Sequence, residues 1–374
     1  MSNTDNQPAE NSIRDKDSRA RTDLPGNEIF FRHHGRKIAI SVILIIFVGI
    51  PLLLAALKYQ QKIKLEPTVF YLLEQFAKYS LMTAGIFWFF FFGGALGSFL
   101  NVVAWRLPQG RTLWGSSYCP DCNTKLKIQD NFPLFGWLWR KGKCRTCEME
   151  IAGRYFMVEI MACITIGILA LVELIGAGAN VQSTPDQITF SFERFVTAPE
   201  PRFIGYFLLH SSLILILMTA ALIKLQKQAL PKSIFVFGFT IYIVTSIAWP
   251  QALPFTENHL EITDSNASFA SIRPMCWGLV VSLAGGMLLT RLLPRKLLKG
   301  QWDFTLLLML IGAILGWQAA VITIALTTLF TFVGRLIYSK CRPTDVLWLA
   351  TSITIYTLQI WIEQWQNGPL DGGS

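Results

Sequence analysis

The sequence predicts an all-α polytopic membrane protein of about nine transmembrane helices, with a small four-cysteine loop domain set between two of them. Three observations carry this. Of 374 residues, 52% are hydrophobic and 15% charged, against about a quarter charged in ordinary soluble chains. The apolar residues come in long blocks, such as 38–57 and 81–103, near the roughly 20 residues a helix needs to cross the hydrocarbon core. Two C-x-x-C pairs stand together in the longest basic stretch between such blocks.

The elements follow in order. Residues 1–37 are polar, mixed in charge and poor in aliphatics, and read as a disordered tail with no secretory signal. His33 and His34 there lack further ligands nearby and read as a solvated juxtamembrane pair. Spans are expected near 38–57, 80–104, 155–177, 204–224, 233–249, 275–290, 304–316, 318–338 and 346–363. The seventh and eighth form one apolar stretch divided at Gly316-Trp317. In lipid each must be helical, because backbone N–H and C=O groups find no water there. The resulting division is a tail at 1–37, an extra N-terminal span and external loop at 38–79, a loop-bearing domain at 80–160, a membrane domain at 161–363 and a C-terminal tail at 364–374.

Loop charge orients the spans. The segment 105–154 holds nine Lys/Arg, and further cations lie at Lys227, Lys232, Arg291, Arg295, Lys296, Lys299, Lys340 and Arg342. The alternate loops, near 178–203 and 251–274, are acidic or neutral. The positive-inside rule places the basic loops, and the four cysteines with them, in the cytoplasm. The formal charge of +9 therefore reflects topology and anionic lipid headgroups, and nucleic acid is not an expected partner.

Cys119-Pro120-Asp121-Cys122 is answered, after 21 intervening residues, by Cys144-Arg145-Thr146-Cys147. Each pair can form a tight turn presenting two sulfurs to one ion, and the spacing fits a structural zinc site. Four thiolates leave no open position, so the ion is expected to be structural. Disulfides are disfavoured in a reducing cytoplasm, and a redox pair needs only one C-x-x-C. Lys125, Lys143 and Arg145 stand near enough in sequence to offset the charge of the centre. A loop of about 50 residues buries little core, which a metal staple remedies. Cys163, Cys276 and Cys341 lie in or beside spans and read as packing residues.

The cysteines belong to a longer pattern: Gly97-Ser98-Phe99-Leu100-Asn101-Val102-Val103, Arg106-Leu107-Pro108, Asp130-Asn131-Phe132-Pro133 and Gly153-Arg154-Tyr155-Phe156-Met157-Val158-Glu159. In this order they closely resemble the N-terminal domain of bacterial type 4 prepilin peptidases, GxGD-type membrane aspartyl proteases of type 4 pili and type II secretion. The resemblance implies an inner-membrane protein that cleaves prepilin leader peptides and N-methylates the product from S-adenosylmethionine. Prepilin or pseudopilin N-terminal helices and membrane lipids are the implied partners. The bland alternative for Glu159 is a salt bridge to a loop cation such as Arg154.

The membrane half departs from the family. One catalytic aspartate is expected at a span end seven residues before a Pro-Asp; here Lys224 precedes Pro231-Lys232 at that spacing. The other belongs to GxGD; here Gly300-Gln301-Trp302-Asp303 keeps the aspartate, and Thr305 replaces the lysine that usually follows. Two carboxylates sharing a proton perform aspartyl proteolysis, and a lysine opposite Asp303 offers no equivalent partner. Asp345 is the other acid at that boundary able to compensate. Read without the family, Lys224 snorkels at a helix end and Asp303 caps a helix. The expectation is a family member impaired or inactive as a protease. The alternative is a non-catalytic pilin-binding or scaffolding component. A transporter is disfavoured because the spans show no cluster of buried ionisable groups.

Overall fold

The computed structural model describes residues 41, 43–62, 69–175, 192–248, 267–292 and 301–337. All regular structure among them is helical. The chain divides into two compact units, Met1–Gly85 and Ile86–Ser374. In the first, a π turn (Ile45–Gly49) leads into α1 (Ile50–Lys62). Leu52, Leu53 and Leu57 are exposed on α1. The long helix α2 (Val69–Arg106) begins in the first unit and ends in the second.

The second unit continues with a short 3-10 turn (Leu107–Gln109), the four-cysteine loop with its one small helix α3 (Phe135–Trp139), and α4 (Arg154–Ala170), which a π turn extends through Ile175. After α5 (Phe192–Thr197) come α6 (Pro201–Leu225), α7 (Lys232–Ala248), α8 (Ala267–Leu292) and α9 (Gln301–Ile337). Pro201 starts α6, where its missing N–H costs nothing.

The described parts of the first eight expected spans fall on apolar helices, the seventh and eighth on the same one; 346–363 lies outside the described residues. Three stretches, Val69–Gln109, Arg154–Ile175 and Pro201–Leu225, are long and apolar enough to cross a membrane, and the remaining apolar helices are shorter. The expected division at Gly316 is real. Gly316 has φ 83 and ψ 177, which breaks α9 into two helical pieces. A residue with a Cβ strains at that φ.

α6 is the hub, as a helix apolar on every side should be. One face joins Phe89 of α2 with Ile166, Leu169 and Leu174 of the α4 region through Phe207 and Ile214. The other, with Leu213, Leu217, Ala220 and Ile223, packs against Ile234 and Phe235 of α7 and Phe304, Leu308 and Ile311 of α9. Lys224 therefore leaves the end of the most enclosed helix, and Asp303 the start of one packed directly upon it.

Small residues set the closest approaches. A Cβ added to Gly97 of α2 would lie 2.8 Å from the Cα of Glu159, and one on Gly93 2.6 Å from the carbonyl oxygen of Ala162. The α2 and α4 backbones thus touch along a Gly-x-x-x-Gly seam, the spacing that lets helices meet closely in a bilayer.

Candidate metal centre and the vestige of a catalytic dyad

The two knuckles of the loop have the same local geometry. Cys119 N–H donates to the Thr124 carbonyl at 3.0 Å, and Cys144 N–H to the Met149 carbonyl at 2.9 Å. Isolated bridges pair Tyr118 with Lys125 and Lys143 with Glu150. The fifth residue of each knuckle, Asn123 or Glu148, has positive φ, 52 and 58 respectively. Each turn thereby points its two sulfurs inward.

The four sulfurs lie within 4.8 Å of one another. Cys119 and Cys147 are 3.7 Å apart, Cys122 and Cys144 3.9 Å. A tetrahedral ion with Zn–S bonds of about 2.3 Å needs sulfurs about 3.8 Å apart, which these two separations match. Thr124, through its hydroxyl and its amide, lowers the Cys122 thiol to about 6. The Met149 amide pulls Cys147 the same way, but burial and hydrogen bonds with the other three thiols outweigh it and push Cys147 up to about 12. Four thiols this close titrate as one coupled group, and a cation at the centre would favour the thiolate form of all of them. The described cysteines form no disulfide.

The rest of the motif builds the platform beneath this cage. Arg106 reaches the carbonyl of Ser116 at 2.7 Å and those of Trp114 and Leu113 at 3.2 and 3.3 Å, so it gathers the first stretch of the loop. Asp130, its side chain only 8% exposed, accepts from Arg140 at 3.1 Å and from Arg145 at 2.7 Å. Burial raises its carboxyl, but the Arg145 hydrogen bond, the Lys127 amide and the two guanidinium charges more than offset this. Asp130 is held below the usual carboxylate range. Arg145, set between Cys144 and Cys147, pairs with Asp130. Trp137 stacks on Phe156 at 4.8 Å and donates to the Ile151 carbonyl.

Glu159 has a different role from the bland expectation. Its carboxylate accepts from the Leu134 amide at 2.7 Å and from the Ser98 side chain, while Arg154 lies over the Tyr155 ring. Asn101 donates to the Tyr155 carbonyl at 3.1 Å. The motif pieces that stand apart in sequence are therefore neighbours: Ser98 and Asn101 on α2, Leu134 after the Asp-Asn-Phe-Pro turn, and Tyr155 and Glu159 on α4.

In the membrane half, the Lys224 ammonium donates to the Asp303 carboxylate. The two side chains, 79 residues apart in sequence, meet as an ion pair with 11% and 23% exposure. Thr305 is buried and Trp302 exposed. Asp345 and Cys341 lie outside the described residues. Cys163 is partly buried beside Gly94, whereas Cys276 is exposed.

Sequence reasoning missed one site. Glu173, in the π turn after α4, and His210 of α6 are wholly buried and paired, Oε1 to Nδ1 at 2.5 Å. Buried ionisable groups thus do meet between these helices. The signal was available as single charged or titratable residues inside apolar runs.

Comparison with known proteins now bears on the loop and both halves. The family model described as Bacterial Peptidase A24 N-terminal domain matches residues 91–172. The "Prepilin leader peptidase/N-methyltransferase" of Klebsiella pneumoniae is 31% identical over 265 residues, covering 69% of this chain and 96% of that protein. The chain belongs to the prepilin peptidase family. A Stutzerimonas stutzeri prepilin leader peptidase/N-methyltransferase is 28% identical over 63% of this chain and 75% of its own length. The "Type 4 prepilin-like proteins leader peptide-processing enzyme" of Escherichia coli O78:H11 is 36% identical over 99 residues, and there the chain covers 37% of the relative's length. No solved structure matches. The prepilin peptidase match encloses all four cysteines and Glu159, and the Klebsiella alignment is too long to be confined to the loop.

Proposed function

We propose that this protein is a prepilin-peptidase-family membrane protein that has lost leader cleavage and acts by engaging prepilin or pseudopilin N-terminal helices within a type 4 pilus or type II secretion assembly. One observation carries the reading: Lys224 is bonded to Asp303, where the family chemistry needs a second carboxylate. A carboxylate pair works because one member holds a proton and the other does not. An ammonium at that place cannot share a proton with Asp303 as a second carboxylate would, and it takes up the Asp303 oxygen that it bonds. In this reading the loop carries a structural zinc ion held by Cys119, Cys122, Cys144 and Cys147, and faces the cytoplasm from the inner membrane. Zinc would supply cross-linking and no reactive position. S-adenosylmethionine comes in by family resemblance alone, since Ser98, Asn101 and Glu159 are engaged in joining helices to the loop.

The test is co-expression with prepilins of the same organism, followed by mass spectrometry of pilin N-termini. The expected result is no leader removal by the natural chain and measurable removal by Lys224→Asp. Cleavage by the natural chain that disappears in Asp303→Asn would overturn the proposal. Retention of uncleaved prepilin on the purified protein is the expected sign of engagement.

A further inference from the structure

Eight uncharged residues, Phe132-Pro133-Leu134-Phe135-Gly136-Trp137-Leu138-Trp139, lie between Asp130-Asn131 and Arg140. Their two ends are pinned together by the Asp130–Arg140 ion pair at 3.1 Å. Gly136 fits so closely against the backbone of Asp130 that an added Cβ would lie 2.5 Å from its carbonyl oxygen. The segment is a closed apolar hairpin with a charged neck.

Its depth can be read from the helices it touches. The Leu134 amide bonds to Glu159, five residues inside the start of α4. The Leu134 side chain lies 3.5 Å from a Cβ built on Gly94, twelve residues inside the end of α2. The Phe132 ring is 5.3 Å from that of Phe91. At 1.5 Å per residue these levels are about 8 Å and about 18 Å inside the helix ends. The apolar stretch Arg154–Ile175 has 22 residues, about 33 Å against a hydrocarbon core of roughly 30 Å. If it crosses, the level of Glu159 and Leu134 falls inside the membrane.

Two details suit that position. Non-helical backbone survives at such depth only when protein groups satisfy it, and Glu159 takes the Leu134 N–H. Leu134 has φ 63, a costly conformation for a side chain of its shape. Phe132, Phe135, Leu138 and Trp139 are nonetheless exposed, Trp139 at 68%. Phe135, Leu138 and Trp139 are spaced i, i+3, i+4 and share one face. In water such a patch is a liability. The neighbouring α4 likewise exposes Met157, Met161 and Ile164 at helical spacing, as a lipid-facing helix does.

We propose that residues 132–139 form a re-entrant segment inserted into the leaflet next to the four-cysteine loop, with lipid acyl chains covering Phe135, Leu138 and Trp139. The knuckles above it, including the half-exposed Tyr118, remain in water. The test uses the full chain in nanodiscs of phosphatidylethanolamine and phosphatidylglycerol. A lipid carrying a diazirine on its acyl chain is photolysed, adducts are mapped by mass spectrometry, and hydroxyl-radical oxidation is mapped in parallel. The expected result is acyl adducts at least five-fold richer on the peptide holding Phe135–Trp139 than on that holding Tyr118, with Trp139 protected from oxidation and Tyr118 oxidised. Equal acyl labelling of the two peptides would overturn the proposal. So would protection of Trp139 without acyl adducts, which assigns the patch to a protein partner.

Discussion

At Gly97 a hydrogen atom is all that the space allows, because the α4 backbone lies where a side chain would begin. Gly97→Val should lower stability in detergent by about 1–3 kcal/mol, the usual cost of overpacking a tight contact; a thermal melt of the purified chain measures it. Asp130 makes a different kind of contribution. A carboxyl held below its ordinary value of 3.8 stabilises the fold above that value, and its contribution disappears as pH falls through the lower, folded-state value. Asp130→Asn should thus be less stable than the natural chain near neutral pH, by about 1 kcal/mol since both arginines are partly solvated. The gap should close only below roughly pH 4. Melts of both variants across pH check this, and an equal gap at acid pH would contradict it.

At the scale of the element, the four-cysteine loop has one α-helical turn of its own and little core, so its order rests on the cage and its platform. Cys119→Ala, or a strong chelator, should abolish metal retention and open residues 107–153 to protease while the membrane helices stay resistant. Elemental analysis and limited proteolysis read the two effects. The cage was legible in the sequence because C-x-x-C spacing encodes a local turn. The positions of the apolar helices were legible from blocks of hydropathy, down to the break at Gly316. The roles of Arg106, Asp130 and Glu159 were not. Arg106 counts in sequence as one more cation at a span end, yet it binds loop carbonyls. Glu159 suggests a surface ion pair, yet it receives a backbone amide from a segment 25 residues away. Such partners depend on how a loop folds back, which no periodicity reports.

Across the molecule, α6 ties the two hydrophobic clusters together and carries one member of each of two buried or half-buried titratable pairs. His210 lies in its first half, bonded to Glu173, and Lys224 at its end, bonded to Asp303. Neither pairing could be read from one helix alone, because each partner is supplied by another packed element. The Lys224 and Asp303 positions were found through the family pattern. The Glu173–His210 pair had no pattern to announce it.

The glycine seam between α2 and α4 has a consequence for the metal. By holding Asn101 against Tyr155, the packed helices bring the two ends of the segment that carries all four ligands toward each other, so part of the entropy of closing that loop is met before an ion arrives. A bound ion would then meet the helix pair as the backbone of a macrocyclic chelator. Gly97→Val, which touches no ligand, should weaken zinc retention against a competing chelator several-fold. An unchanged competition curve would show that the knuckles assemble by themselves.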